Sequence, residues 1–202
     1  MWVGSGILSL YRTYLSKWRF KFSAYYIDGK MQQTVTSFDI QYSQQIIQVA
    51  EEIFPPNDVS LLKKTLEECD RHYSNVVMVG DNIMGFCIVK KRCVKTEVYE
   101  LSFLGIHPDL HGCGWGSRLL RMLMEKIPFG SSCWLLVNQD NIPAQTLYSK
   151  FGFQILCDCL DPFMVPCHMM IKNKASIDGK NIYNNFSDTA SGIPSISCVF
   201  TH

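Results

Sequence analysis

Between Leu104 and Leu120 the chain reads Leu-Gly-Ile-His-Pro-Asp-Leu-His-Gly-Cys-Gly-Trp-Gly-Ser-Arg-Leu-Leu, and few folds accommodate such a stretch. A strand-like run ends at Pro108, glycines alternate at 112, 114 and 116, and an amphipathic helix follows. Leu119, Leu120, Leu123, Met124 and Ile127 recur at helical spacing on its buried side. Glycines at such a turn let successive backbone N–H groups approach an anion with no Cβ in the way. The helix start adds orphan donors and a positive dipole end, worth ~0.3–2 kcal/mol to a nearby anion. A diphosphate suits the turn; glycines that serve only tight packing are the other reading. Two familiar phosphate loops are excluded. No Gly-Lys-Ser/Thr follows, against a Walker-type loop. The spacing G-x-G-x-G, with no regular βαβ unit before it, does not fit a dinucleotide fingerprint.

Regular patterning begins at Val35. Thr34 to Gln41 alternates like a strand, and Ser43 caps a helix through Phe54 that stops at Pro55-Pro56. A second helix is expected over residues 59–72, with Leu61, Leu62 and Leu66 on one face. Val76 to Val79 and Ile83 to Val89 flank the turn Gly80-Asp81-Asn82 and read as a hairpin. Strands are further expected over 97–106, 133–137, 153–157 and 164–171, with helices over 114–127 and 141–151. Strands before and after isolated helices predict an α/β (α+β) domain with a mixed, mainly antiparallel sheet. The domain is expected to span residues 35–172. Residues 1–34 form a basic, aromatic extension, read as an added edge element or as an amphipathic helix on a membrane. Residues 173–202 are rich in Asn, Ser and Asp and predict a loosely ordered tail.

Composition narrows the function classes. Net charge is +1 over 202 residues, so no global field attracts nucleic acid, and none is expected as a partner. Nine cysteines accompany no convincing secretory signal, which predicts reduced thiols in the cytoplasm or nucleus. Cys157/Cys159 and Cys167/His168 lack the C-x₂-C spacing of common zinc sites, so no metal is expected.

A second motif lies downstream: Asn141-Ile-Pro-Ala144-Gln-Thr-Leu-Tyr148-Ser-Lys-Phe-Gly152-Phe153. Asn141 is a good N-cap, Pro143 sits in the first turn where its missing N–H does no harm, and Gly152 stops the helix. Asn141, Ala144 and Tyr148 share one face. This stretch resembles the Asn-x-x-Ala-x-x-x-Tyr-x-x-x-Gly-Phe motif of the GNAT superfamily of N-acetyltransferases. The glycine turn resembles that family's Arg/Gln-x-x-Gly-x-Gly/Ala loop, with His111 where Arg or Gln is usual. The resemblance covers residues 35–172 and implies a GNAT fold, acetyl-CoA as cosubstrate and an amine as acceptor.

It also implies roles. Leu104, Gly105 and Ile106 would hold pantetheine, with an amide near Ile106 polarising the thioester. His111, Gly112, Cys113, Gly114, Trp115, Gly116, Ser117 and Arg118 would hold the phosphates. Asn141 and Ala144 would border the cofactor. Tyr148 would protonate the departing thiolate, and Glu100, in Glu-Leu-Ser-Phe-Leu-Gly-Ile, resembles the family's catalytic strand glutamate. The chemistry asks for such a base: a free lysine is neutral in about one molecule in 2,500 at pH 7. Cys113 has no recognisable activating neighbour and reads as structural.

The acceptor is expected between the early helices and the last strands, where Glu51, Glu52, Glu67, Glu68 and Asp161 would draw a cationic amine. A protein or peptide acceptor is favoured over polyamines and small amines. The chain is read as a monomer or homodimer. A CoA-binding sensor without turnover and a membrane-associated adaptor stay open beside the enzyme reading.

Overall fold

The computed structural model describes residues 26–27, 30–31, 33–93 and 97–174. Most of the basic aromatic extension and the tail beyond Lys174 lie outside the described residues. Two short strands, β1 (Tyr26–Ile27) and β2 (Lys30–Met31), pair antiparallel. A seven-stranded sheet follows, in the order β3-β4-β5-β6-β7-β9-β8. Its strands are β3 (Gln33–Ser37), β4 (Asn75–Val79), β5 (Asn82–Cys93), β6 (Val98–Ile106), β7 (Ser132–Asn138), β8 (Gln154–Leu160) and β9 (Pro166–Asn173). All neighbours run antiparallel except β6 and β7, which are parallel.

Helices α1 (Ser43–Ile53) and α2 (Pro56–Glu68) cover one face, through Ile46, Val49, Ala50, Leu62 and Leu66 against Phe86 and Ile88. Helices α3 (Trp115–Lys126) and α4 (Ile142–Lys150) cover the other, where Leu119, Leu120 and Leu123 meet Val89, Tyr99, Leu101 and Leu135. Each such leucine contributes ~1.5–3 kcal/mol by leaving water. Two lysines, one in β9 and one just past its end, secure the helix ends. Lys174 Nζ donates to Met124 O at 2.7 Å and Ile127 O at 2.6 Å, and Lys172 Nζ donates to Phe151 O. Cations at these C-terminal carbonyls also complement the helix dipoles.

Among the expected boundaries that move, four have a plain local reason. The first strand stops at Ser37 because Asp39 Oδ1 takes the Gln41 amide at 3.0 Å and starts a 3₁₀ turn. The second helix starts at Pro56, since proline is tolerated in a first turn, and ends at Glu68, after which Cys69 is extended. The last strand starts at Pro166, because Asp161 Oδ1 accepts the amides of Phe163 and Val165 and holds Met164 in a turn at φ +66°.

The α3/α4 face contains thiols sealed from water. Burial pushes the Cys87 thiol up to about 12 from 9.0, and raises Cys133 as well. Raised groups stabilise the fold fully below their unfolded value and lose that contribution as pH rises through the folded one. Stability is therefore expected to fall between pH 9 and about 12, each thiol contributing a slope of ~1.4 kcal/mol per pH unit. Urea midpoints at pH 8 and pH 10.5 check this, and Cys87→Ala should flatten the slope.

Candidate active site

Strands β6 and β7 touch only at their beginnings. Their parallel register runs Val98↔Ser132, Tyr99↔Cys133 and Glu100↔Trp134 and then ends. Beyond it β6 stays with β5 as far as Ile106↔Gly85, and β7 stays with β9 as far as Asn138↔Cys167. The sheet thus opens into a cleft at Leu101 and Leu135, and the inner edges of both strands carry backbone groups with no strand partner. Leu104, Gly105 and Ile106 form the β6 side. Gly105 lacks a side chain for a reason of packing: a Cβ there would lie 2.7 Å from both Ile53 Cδ1 and Phe86 Cζ.

The cleft leads to the glycine turn. Gly112 and Gly114 have φ of +74° and +79°, and a Cβ on either would meet nothing within 4 Å. Both glycines answer to backbone conformation, and the space before them is open. Gly114 is the N-cap of α3 and offers no side chain to it, so the first amides of that helix, from Trp115, Gly116 and Ser117, have no side-chain cap. Such a set fits a diphosphate. Gly116 has a packing role beside that of its amide. It lies inside α3, and a Cβ would approach Leu147 Cδ2 to 3.3 Å, so its small size lets α3 and α4 close together. Trp115 is buried in the core and gives the turn its amide rather than its ring. Arg118 is exposed, with its guanidinium carbon 4.8 Å from the centre of the Trp115 ring.

His111 turns out to be an anchor. Its Nε2 donates to the Ile106 carbonyl at 2.8 Å, tying the turn to the end of β6. Cys113 is exposed, and its Sγ lies 3.7 Å from His111 O. His107, which sequence reasoning passed over, is buried beside the turn. It accepts the Asp109 amide on Nδ1 at 3.2 Å and faces Glu52 Oε2 through Nε2 at 3.0 Å, linking α1 to the end of β6. The pattern His-Pro-Asp after a strand was the available signal, since the bond to Glu52 crosses 55 positions.

Helix α4 brings Tyr148 under the cleft. Asn141 caps that helix through Oδ1 on the Ala144 amide at 3.1 Å, which commits this oxygen to local structure. Ala144 is half-buried against the α3/α4 core. Tyr148 is 8% exposed, with its ring in that same core and its centroid 5.9 Å from that of Phe153. Burial raises its pKa, and the nearby Cys87 and Cys133 thiols add to the rise, so the group stays a neutral phenol. Cys87 is the register partner of Leu104, and Cys133 that of Tyr99. Tyr148 shares its core with Leu101, Leu104 and Leu135, the residues of β6 and β7 where the two strands part. Among the described residues its hydroxyl has no hydrogen-bond partner. The sealed side-chain atoms without a partner are Ser43 Oγ and Ser131 Oγ, so the phenol oxygen keeps an opening.

Glu100 lies on the opposite face. Its neighbours Tyr99 and Leu101 both enter the α3/α4 core, so alternation turns Glu100 toward the α1/α2 side. Its carboxylate accepts the Ser102 hydroxyl at 2.8 Å and the Arg92 Nε–H. The other acidic residues expected to draw an amine are mostly engaged. Glu51 lies 3.7 Å from Lys63, Glu52 meets His107, Glu68 meets Lys90 at 2.8 Å and Asp161 closes its turn.

Residues 43–153 match the model of the Acetyltransferase (GNAT) family. The chain belongs to this family. N-alpha-acetyltransferase RimI of Mycobacterium tuberculosis (strain ATCC 25618 / H37Rv) is 31% identical over 108 residues, which take in 52% of this chain and 65% of that protein. The chain thus spans just under two thirds of that curated relative's length. Among solved structures, the GNAT fold aligns with Ard1 from Thermoplasma volcanium at TM-score 0.59 and 18% identity, over 69% of this chain and 96% of that one. The ribosomal-protein-S18-alanine N-acetyltransferase from Escherichia coli aligns at TM-score 0.59 and 19% identity, over 75% and 99%. Arabidopsis thaliana Naa50, in complex with the bisubstrate analogue CoA-Ac-MVNAL, aligns at TM-score 0.58 and 20% identity, over 70% and 98%. In the described part of this GNAT chain no helix is long and apolar enough to cross a membrane.

Proposed function

We propose that this chain transfers the acetyl group of acetyl-CoA to an amine of a protein or peptide, by direct attack within a ternary complex. The observation that carries the reading is the parting of β6 and β7 between two chemically different groups: a neutral phenol beneath one face and a carboxylate on the other. A thioester lying in that cleft would be approached by the amine from the α1/α2 side. Glu100 takes a proton from the acceptor ammonium, directly or through water, and passes it to solvent; the amine then attacks the carbonyl, its nitrogen gives up a second proton by the same route, and the C–S bond breaks. Tyr148 gives its proton to the departing thiolate and regains one from solvent. The turn around Gly112 and Gly114 holds the diphosphate, and the free edge of β6 from Leu104 to Ile106 holds pantetheine. Positioning both reactants supplies much of the acceleration, so no covalent enzyme intermediate is needed.

The amino-terminal acceptors in the names of the similar proteins support an α-amino group of a protein as acceptor, with lysine as the alternative of the same chemistry. Domain limits of 35–172 and a cytoplasmic or nuclear setting complete the reading.

Thiol release from acetyl-CoA, followed with a panel of peptides bearing free N-termini or lysines, polyamines and small amines, tests it. Peptides should be the faster acceptors. Glu100→Gln should lower kcat about a hundredfold while CoA still binds. A variant as fast as the parent removes Glu100 as the base. CoA binding with no acceptor turned over replaces the enzyme reading with that of a sensor.

A further inference from the structure

The carboxylate of Glu100 is held from two sides, and each holder is an irregularity of the sheet. Along β5 and β6 the register passes from Ile88↔Phe103 to Val89↔Leu101, which leaves Ser102 as an extra residue on β6. It then passes from Lys91↔Tyr99 to Cys93↔Val98, which leaves Arg92 as an extra residue on β5. A bulge interrupts the ladder and re-aims the side chain of the inserted residue. Both inserted side chains here meet one acid. Ser102 Oγ donates to Oε1 at 2.8 Å, and Arg92 Nε donates to Oε2.

The Glu100 side chain is 14% exposed and that of Arg92 29% exposed, so the pair is drier than a surface ion pair. Lys90, the register partner of Glu100, is taken by Glu68 of α2 and leaves Arg92 to this role. Each carboxylate oxygen accepts about two hydrogen bonds. Ser102 and Arg92 therefore fix the orientation of the acid and leave one site on each oxygen for an ammonium or a water.

We infer that Arg92 is a positioning residue for acetyl transfer, holding the Glu100 carboxylate together with Ser102 so that it meets the acceptor's ammonium proton. The inference rests on the reading of Glu100 as the base. Arg92 acts through Glu100: the proton passes from the acceptor nitrogen to a Glu100 oxygen and then to water, and Arg92 stays charged throughout. Only Nε contacts the acid, so a lysine can supply the charge and a single donor in its place.

Steady-state rates of Arg92→Met, Arg92→Lys, Glu100→Gln and the double variant Glu100→Gln/Arg92→Met, with acetyl-CoA and the fastest acceptor of the panel above, test the inference. Arg92→Met should lower kcat about tenfold to a hundredfold, since a small misplacement of a reacting group costs that much. The KM for acetyl-CoA should move less than about twofold, because the diphosphate turn is a separate site. Arg92→Lys should recover most of the loss. In the Glu100→Gln background Arg92→Met should change kcat by less than about twofold, since the group it positions has gone.

An equal loss in both backgrounds, or an Arg92→Met variant as fast as the parent while Glu100→Gln is slow, overturns the inference and leaves the base assignment standing. Glu100→Gln at parental rate overturns the base assignment itself. Should Arg92→Met fail to bind CoA and to fold, Ser102→Ala takes its place in the same cycle, with an expected loss of about threefold to tenfold.

Discussion

Tyr148→Phe is expected to lower kcat about a hundredfold, the low end of the range for a general acid, with CoA affinity and melting temperature nearly unchanged. The phenol serves two ends at once. Its ring fills the α3/α4 core beside Phe153, whereas its hydroxyl has no partner among the described residues and is not fully sealed. Phenylalanine retains the first role and loses the second, so stability should move by no more than about 0.5 kcal/mol. Tyr148→Ala removes the ring as well and should cost about 3–5 kcal/mol. The kinetic effect stays at the low end because a thiolate already leaves readily, its conjugate thiol having a pKa of about 8.5. Burial holds the tyrosine protonated, so its own ionisation should take no activity away as the pH rises to about 10, the ordinary tyrosine value. Initial rates, CoA titration and thermal melts of the two variants separate the roles. Parental kcat in Tyr148→Phe would take the hydroxyl out of the mechanism. A marked loss of stability in the same variant would make it structural.

Gly114→Val should weaken CoA binding about a hundredfold, and Gly116→Val should lower stability more than affinity. Gly114 sits at φ +79° in open space in front of the uncapped amides of α3. A β-branched residue there costs about 1–2 kcal/mol in backbone strain. That strain falls on free and bound protein alike; the loss of affinity comes from misaligned amides and from a side chain standing where the diphosphate would lie. At Gly116 the nearest obstacle is Leu147 Cδ2 at 3.3 Å, so valine pushes α3 away from α4. Calorimetric titration with CoA and urea unfolding of both variants check the contrast. Parental affinity in Gly114→Val would mean that this turn does not hold the phosphates.

Much of this could be read from residue order, because local rules govern it. The apolar runs Val76 to Val79 and Ile83 to Val89 around Gly80-Asp81-Asn82 form a hairpin in the structure, and the leucines of α3 meet the sheet on the expected face. Both motifs fall where a strand–turn–helix and a capped helix belong, since turns and caps depend on residues within four positions of one another. The misplaced ends at Ser37, Pro56 and Pro166 reflect single side-chain or proline effects that periodicity does not register. The packing of Gly116 against Leu147 in α4 joins residues 31 positions apart, which spacing along the chain cannot reveal.

By itself the sequence determined the family, the fold class, the anion-ready turn and the candidate acid and base, all of them properties of short segments. Only the tertiary structure decided that β6 and β7 part after Glu100, that Tyr148 and Glu100 lie on opposite faces of that opening, and that Arg92 and Ser102 share one carboxylate. Those facts depend on strand register. Register is set by the summed packing of both sheet faces, and a shift of one residue would turn every one of these side chains to the other side.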